Sequence, residues 1–212
     1  MKPTQRTAAA AVGAAVAFAL CGAVSESHAD PANPPAPGLV NAGAIDTLLV
    51  SLEDIKAIPG GGGFSDSVVS QQPTASPSAD PGGPCELALS GTADPAGFGT
   101  NWTAFRYADI TGSNIYLRQS VGVYPDPGAA EDAFAGLVAG LKSCALSRTG
   151  SVAIASLTGS ATTWLEPGDR PCAEVARVVK NVFFRVGSCR LEPAAAAVSV
   201  ANQISGRITN AL

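Results

Sequence analysis

A cysteine stands at each end of a segment that has the pattern of a β-hairpin. The segment runs from Cys172 to Cys189 and is nearly symmetric about Lys180-Asn181. If these two residues form the turn, Cys172 falls directly opposite Cys189, in a pair without hydrogen bonds between its backbones. The Cα atoms of such a pair are about 4.5 Å apart, which is within the range of a disulfide. The spacing therefore predicts an antiparallel hairpin closed by a Cys172–Cys189 disulfide.

The N-terminus has the three parts of a secretory leader. Lys2 and Arg6 are followed by an uncharged apolar run, and Ser27 and Ala29 supply the small residues that signal peptidase requires. We therefore predict that residues 1–29 are a signal peptide, cleaved between Ala29 and Asp30, and that the protein is secreted or held in the cell envelope.

Cys21 leaves open a different processing of the leader. It could be the lipidated cysteine of a lipoprotein, although Leu20 stands where a lipobox has a small residue. An uncleaved anchor is a further alternative, but the apolar run is shorter than the ~20 residues that a spanning helix needs. Membrane association is expected only if the N-terminus is retained or lipidated.

Cleavage of the leader would leave four cysteines and no histidine, because His28 is the only histidine in the chain. Since an exported domain keeps cysteine pairs oxidised, Cys85 and Cys144 are predicted to form the second disulfide. The missing imidazole excludes Ser-His-Asp and Cys-His catalysis as well as histidine metal ligands. No C-x₂-C pair is present to hold zinc, so we expect neither a metal nor another cofactor.

The composition favours a compact acidic domain. The chain carries 13 basic and 17 acidic residues without a Lys/Arg cluster, so we expect no nucleic-acid binding. Hydrophobic residues make up 46% of the chain and charged residues only 14%, which is typical of a globule rather than a disordered segment. We expect it to be a monomer.

The pattern along the chain predicts a proline-rich tether over 30–42 and one domain over 43–212. Two short helices are expected first, the second beginning at Ser51, whose side chain and Asp54 form a capping box. Residues 60–84 are rich in Gly, Ser and Pro and predict either an edge strand or a surface loop. The later elements are expected as strands over Trp102–Asp109 and Ile115–Tyr124 joined by a Gly112-Ser113 turn, a helix beginning at Asp126-Pro127 and ending near Cys144, strands over Ser151–Ser156 and Ala161–Leu165, and a closing helix from Pro193.

The order and spacing of these elements resemble the PknH-like extracellular sensor domain of actinobacterial receptor-type serine/threonine kinases, which also occurs in proteins without a kinase. The stretches that carry the resemblance are Leu48 to Ile55, Pro84-Cys85, Arg118 to Val121, Ala133 to Cys144 and Asn181 to Val186. The chain departs from the family at Leu141-Lys142-Ser143, where a tryptophan is usual, and at Glu86-Leu87 after Cys85. The resemblance implies an α+β fold with an antiparallel sheet flanked by helices, braced by disulfides, and a concave cleft for an unidentified ligand.

Six residues of the strand pair are candidates for contact with such a ligand. They are Trp102, Arg106, Tyr107, Tyr116, Arg118 and Gln119. The two arginines lie on adjacent predicted strands and could form an anion clamp in one groove, or be solvated strand charges. The aromatic residues could equally pack in the core, and Gln119 falls on the presumed inner face, where its amide needs hydrogen bonds.

These observations favour an exported, non-catalytic sensor or ligand-binding domain for a small molecule or an envelope component. An envelope hydrolase that uses carboxylates is the alternative from another class, since histidine is absent. A structural or protein-interaction module is the third possibility. A cavity with two inward carboxylates about 5–10 Å apart would favour the hydrolase. A cavity with apolar walls and one or two fixed polar groups would favour ligand binding, and a flat surface would favour protein contact.

Overall fold

One seven-stranded antiparallel sheet organises the molecule. The computed structural model describes residues 37–59, 61–73, 82–92, 94–147, 152–166, 171–189 and 193–212. The strands are β1 Phe64–Ser70, β2 Ala104–Gly112, β3 Ile115–Val123, β4 Ala153–Leu157, β5 Ala161–Glu166, β6 Cys172–Val179 and β7 Val182–Cys189. Their order across the sheet is β1-β2-β3-β7-β6-β5-β4, and every neighbouring pair is antiparallel. The predicted leader lies outside the described residues, as do Cys21 and residues 30–36 of the predicted tether.

The β6–β7 hairpin has the predicted register. Cys172 pairs with Cys189 across it, and the turn consists of Lys180 and Asn181. Lys180, the first residue of the turn, has a φ of 56°. The common two-residue hairpin turns require a positive φ at this position. Chain symmetry about the turn therefore identified the strand partners correctly.

The β2–β3 turn lies one residue later than predicted. Gly112 belongs to β2 and pairs with Ile115, so the two-residue turn is Ser113-Asn114 instead of Gly112-Ser113. Asn114 has a φ of 65°, and asparagine tolerates this left-handed conformation better than most residues. The segment between residues 60 and 84 contains the edge strand β1, one of its two predicted alternatives.

Five α-helices accompany the sheet in the described part of the chain. They are α1 Leu52–Lys56, α2 Glu86–Leu89, α3 Pro95–Phe98, α4 Pro127–Leu146 and α5 Pro193–Asn210, with short 3₁₀ helices at Ala42–Thr47 and Gly61–Gly63. The predicted caps are present, because the side chains of Ser51 and Asp126 accept the amide hydrogens of Asp54 and Ala129.

Helices cover both faces of the sheet. We call the side that α5 contacts the α5 face and the side that α4 contacts the α4 face. On the α5 face, α5 packs on β6 and β7, and the 3₁₀ helix Ala42–Thr47 packs on β2 and β3. The core of this face includes Ile45, Leu48, Ile110, Leu117, Val121, Phe184, Val200 and Ile204.

The α4 face holds a second apolar core and both disulfides. This core includes Phe98, Phe105, Tyr124, Phe134, Leu137, Leu141, Trp164 and Phe183. The Cys85–Cys144 disulfide joins the start of α2 to α4, and the Cys172–Cys189 disulfide joins β6 to β7, with Cα–Cα distances of 4.4 and 4.1 Å. The predicted fold class, a sheet flanked by helices and braced by these two pairs, is confirmed.

Candidate functional site

Side chains on the α4 face form rows across the sheet, because neighbouring strands are paired in continuous register. In one row Asp109 pairs with Arg118, Arg118 with Gly187, Gly187 with Glu174 and Glu174 with Trp164. This row places three charged residues from distant parts of the chain on one line.

The next row, nearer the β2–β3 turn, is centred on a disulfide. Thr111 pairs with Tyr116, Tyr116 with Cys189, Cys189 with Cys172 and Cys172 with Glu166. Residues alternate between the two faces along a strand, so this row shares its face with the charged row. The disulfide thus lies between a tyrosine and a carboxyl group.

Two adjoining cavities lie along these rows, and we refer to them together as the groove. The outer cavity, of about 340 Å³, is lined by Asp109, Thr111, Gly112, Asn114, Ile115, Tyr116 and Arg118. The inner cavity, of about 200 Å³, is lined by Leu89, Ser90, Gly91, Thr92, Tyr116, Arg118, Glu166, Cys172, Glu174 and Cys189. Tyr116 and Arg118 line both cavities, so the two adjoin at these side chains.

The loop after α2 forms one wall of the inner cavity and is held to the sheet by hydrogen bonds. The hydroxyl of Ser120 donates to the carbonyl oxygen of Thr92 at 2.8 Å, and Arg185 Nη2 donates to that of Ser90 at 3.5 Å. The hydroxyl of Thr92 donates to Glu174 Oε1 at 3.0 Å. The shape of the inner cavity therefore depends on polar groups buried beneath this loop.

Arg185 and Glu174 form a buried ion pair behind the inner cavity. Arg185 is fully buried, its Nη2 is 3.8 Å from Glu174 Oε2, and its Cζ is 5.5 Å from the ring centroid of Trp164. Burial raises the pKa of Glu174, and the charge of Arg185 and the Thr92 hydroxyl bond oppose this rise. Such a pair adds little net stability, since desolvation offsets its attraction, but it fixes the position of both groups.

Glu166 is the second carboxyl group of the inner cavity. Burial, and then the charge of Glu174, raise its pKa to about 7, whereas Arg185, Trp164 and Arg118 act in the opposite direction. Among the described residues, no cation forms an ion pair with Glu166. The group therefore changes its charge near neutral pH.

Arg118 lies where the outer and inner cavities adjoin. Its Cζ lies 4.9 Å from the ring centroid of Tyr116, and its Nε is 3.6 Å from Asp109 Oδ1, too far for a hydrogen bond. Arg118 Nε and Asp109 Oδ1 are both buried, and neither has a hydrogen-bond partner among the described residues. The neighbouring Tyr107 is half-buried; burial raises its pKa to about 12, and Arg118 opposes this rise.

Tyr116 and Arg118 line the groove, and Tyr107 lies beside it on the same face. Trp102 precedes β2 at the other end of the strand pair. Its indole N–H donates to the carbonyl oxygen of Gly99, and its ring centroid is 5.7 Å from that of Phe105. Trp102 therefore packs on the aromatic core, away from the two cavities.

Arg106 and Arg118 do not form an anion clamp, one of the two alternatives considered for them, because they lie on opposite faces of the sheet. Arg106 pairs with Val121 in the strand register and forms a two-point ion pair with Asp46 on the α5 face. Gln119 is also on the α5 face and fully buried. Its amide accepts from the Val50 N–H at 2.9 Å and donates to the Val50 carbonyl at 2.6 Å, as the inner-face position predicted.

Of the charged residues at the inner cavity, only Arg118 was among the predicted candidates. Glu166, Glu174 and the buried Arg185 behind the cavity were not predicted, although the hairpin contained a signal for Glu174 and Arg185. In the predicted β6–β7 register, Glu174 and Arg185 fall on the same face as Cys172 and Cys189. Charged residues on a face that also carries a disulfide need partners, and this requirement indicates a polar site. Glu166 had no such signal, because its position depends on how β5 pairs with β6.

A model of the PknH-like extracellular domain family matches residues 40–207. The chain belongs to this family. Its fold is similar to the crystal structure of the extracellular domain of PknH from Mycobacterium tuberculosis, with a TM-score of 0.63 and 18% sequence identity. That match covers 81% of this chain and 98% of the PknH domain. No curated protein sequence matches the chain.

Membership in the family and the two disulfides indicate an extracytoplasmic location for the folded domain. None of the helices within the described ranges is long and apolar enough to span a membrane. The resemblance inferred from the order of the elements is confirmed by both comparisons.

Proposed function

We propose that the domain is an exported sensor-type module that binds a small molecule or an envelope component in the groove, without catalysing a reaction. The observation that carries the proposal is the concentration of ionisable groups along the two cavities. Arg118, Glu166 and Glu174 all line the inner cavity, two with raised carboxyl pKa values. Groups of this kind cost folding energy, so their retention beside open space favours a role in binding.

The groove offers a ligand polar groups that can orient it and surfaces against which it can pack. The outer cavity presents Thr111, Asn114 and the ring of Tyr116, and the inner cavity presents carboxyl groups and the backbone of the loop after α2. Sites for small ligands commonly combine a few fixed polar groups with such packing surfaces. Membership in a family of extracellular domains supports the same role.

Blocking the outer cavity tests this proposal. Thr111 is exposed and lines the outer cavity, so Thr111→Arg would fill that cavity without disturbing the core. Thr209→Arg, at an exposed position near the end of α5, is the matched control. We would incubate each protein with small molecules extracted from an actinobacterial cell envelope and detect retained molecules by native mass spectrometry.

We expect the unmodified protein and T209R to retain the same molecule, and T111R to bind it at least about 10-fold more weakly, which corresponds to about 1.4 kcal/mol. Retention of the same molecule by T111R, or of none by the unmodified protein, would contradict the assignment of the groove.

The inner cavity also carries one feature of the alternative function, a hydrolase that uses two carboxyl groups. Glu166, with a pKa of about 7, has the protonation of a general acid, and Glu174 lines the same cavity. Glu174 is unsuited to the second role, because the Thr92 hydroxyl donates to both its oxygens and Arg185 lies behind it. Turnover of wall glycans that Glu166→Gln abolishes would favour the hydrolase over the binding module.

A further inference from the structure

Among the residues that the structure describes, the charges around the inner cavity are paired, with one exception. Arg185 lies against Glu174 at 3.8 Å, and Arg118 lies against Asp109 at 3.6 Å. Glu166 is the fifth ionisable group, and in the described part of the chain no cation pairs with it. When Glu166 is ionised, the five groups together lack one positive charge.

The uncompensated carboxyl group faces space that a ligand can enter. Glu166 is only partly buried and lines the inner cavity of about 200 Å³. Glu174, in contrast, is almost fully buried and receives the Thr92 hydroxyl and the Arg185 guanidinium from its own side of the cavity. A ligand that enters therefore meets Glu166 as the carboxylate that has no cationic partner among the described residues.

We propose that the inner cavity binds the ammonium group of a small organic ligand, with Glu166 as its counter-ion. This inference rests on the proposed function of the groove and specifies the chemistry of its ligand. One ammonium group supplies the one missing positive charge and donates up to three hydrogen bonds, to the Glu166 carboxylate and to other acceptors.

Two other ligand classes fit the same cavity less well. An anion would have to compete with Asp109 and Glu174 for guanidinium groups that these carboxylates already neutralise. A divalent metal ion requires several oxygen ligands, and the described residues contain no group of three or more acidic, histidine or cysteine side chains arranged to hold one.

Binding of an ammonium group at this position must depend on pH. The groups that face Glu166 are Glu174 on β6, Arg185 on β7, Arg118 on β3 and the indole N–H of Trp164, and together with burial they place its pKa at about 7. An ammonium ion favours the ionised carboxylate, so its apparent affinity rises with pH through this range. For a pKa of about 7, the ionised fraction, and with it the affinity, increases about 25-fold between pH 5.5 and pH 7.5.

The test uses the disulfide-bonded protein, ¹⁵N-labelled, with ethanolamine as the cationic probe and ethylene glycol as its neutral counterpart. Backbone amide shifts are followed by NMR at pH 5.5 and pH 7.5, in the unmodified protein and in Glu166→Gln. Glu131→Gln, exposed in the first part of α4, is the control with the same charge change. Nα-acetyl-lysine amide and methyl glucosaminide, used as further probes, distinguish a peptide from an amino sugar as the source of the ammonium group.

We expect ethanolamine to shift the amides of Gly91, Glu166 and Glu174 and to bind at least 10-fold more tightly than ethylene glycol at pH 7.5. E166Q should lose both this preference and the pH dependence, and E131Q should keep them. Equal binding of the two probes, or an unchanged preference in E166Q, overturns the inference. If a molecule still binds the unmodified protein but not T111R, only the ligand class is wrong; if no molecule binds, the proposed function fails with it.

Discussion

Gly187 makes room for the carboxyl group of Glu174 at the centre of the charged row. A Cβ atom at this position would lie 2.7 Å from Glu174 Cδ and 2.8 Å from Thr92 Oγ1. Real Cβ atoms do not approach other atoms so closely, so a side chain here would displace the Glu174 carboxyl group. The need for glycine at this position therefore comes from the space that Glu174 occupies.

Gly187→Ala should consequently destabilise the protein by about 1–3 kcal/mol, because the Thr92 hydroxyl and Arg185 lose their acceptor in a buried place. The free energy of unfolding, measured by urea denaturation, checks this value. Gly136→Ala is the matched control: Gly136 is exposed on α4 with nothing near its Cβ position, and the change should stabilise the helix by about 0.5–1 kcal/mol. An unaltered stability of G187A would show that Glu174 moves without cost.

The environment of a single residue could be predicted where it depends only on the alternation of side chains between the two faces of one strand. Gln119 was expected to hydrogen-bond on an inner face, and its amide binds the backbone of Val50. Of the two alternatives for Arg106 and Arg118, the anion clamp is excluded, because it requires both residues on one face and the register places them on opposite faces. The predicted Gly112-Ser113 turn would itself pair Arg106 with Gln119, on the other face from Arg118, so the clamp was already inconsistent with that turn.

The two disulfides brace different kinds of element. Cys85–Cys144 ties the start of α2 to the last turn of the long helix α4, across 59 residues of sequence. Cys172–Cys189 spans 17 residues and joins strands that the seven other residue pairs of the hairpin already hold in register. The first disulfide therefore constrains the unfolded chain more than the second.

Replacing Cys85 and Cys144 by serine should lower the free energy of unfolding by about 4 kcal/mol, and replacing Cys172 and Cys189 by about 3 kcal/mol. The two double variants serve as controls for each other in urea denaturation, since each removes one buried disulfide from the same face. A larger loss for the hairpin variant would contradict the loop-length argument and would indicate that the disulfide supports the inner cavity directly.

Elements with local signals were predicted closely, and elements defined by distant pairing were not. The caps at Ser51 and Asp126 and the symmetry of the β6–β7 hairpin each lie within a short stretch of chain. Strand β1 was only one of two alternatives, because its neighbour β2 lies about 40 residues away, far beyond the reach of a local pattern. The strand order across the sheet had no local signal at all.

At the scale of the whole molecule, the dependence on distant pairing explains why most residues of the groove, apart from Tyr116 and Arg118, were not predicted. Its walls come from β2, β3, β5, β6 and β7 and from the loop after α2, and the sheet order alone makes them neighbours. Asp109 and Glu174 share a row only because β3 pairs with β7. The resemblance supplied the fold class, and the positions of the charged residues required the register.

The N-terminal boundary of the folded domain also depends on long-range contacts. Val40 lies within the predicted tether, yet it is 1% exposed and packs in the core of the α5 face. Its N–H donates to the Asn181 side chain at 2.9 Å, and its carbonyl accepts from the same amide at 3.0 Å. Asn181 also donates to the carbonyl of Tyr124 at 2.9 Å, so one buried amide connects the N-terminal segment, the β6–β7 turn and the end of β3.

A chain that begins at residue 43 should therefore be less stable than one that begins at residue 37, by about 2–4 kcal/mol. The shorter chain loses the burial of Val40 and leaves two hydrogen-bonding groups of Asn181 unpaired in the core. Urea denaturation of the two fragments measures the difference, and Asn181→Ala in the longer fragment should reproduce most of it. Because Asn181 acts through Val40, the same substitution in the shorter fragment should cost less than in the longer one; equal costs would place the stabilising contact at Tyr124 instead.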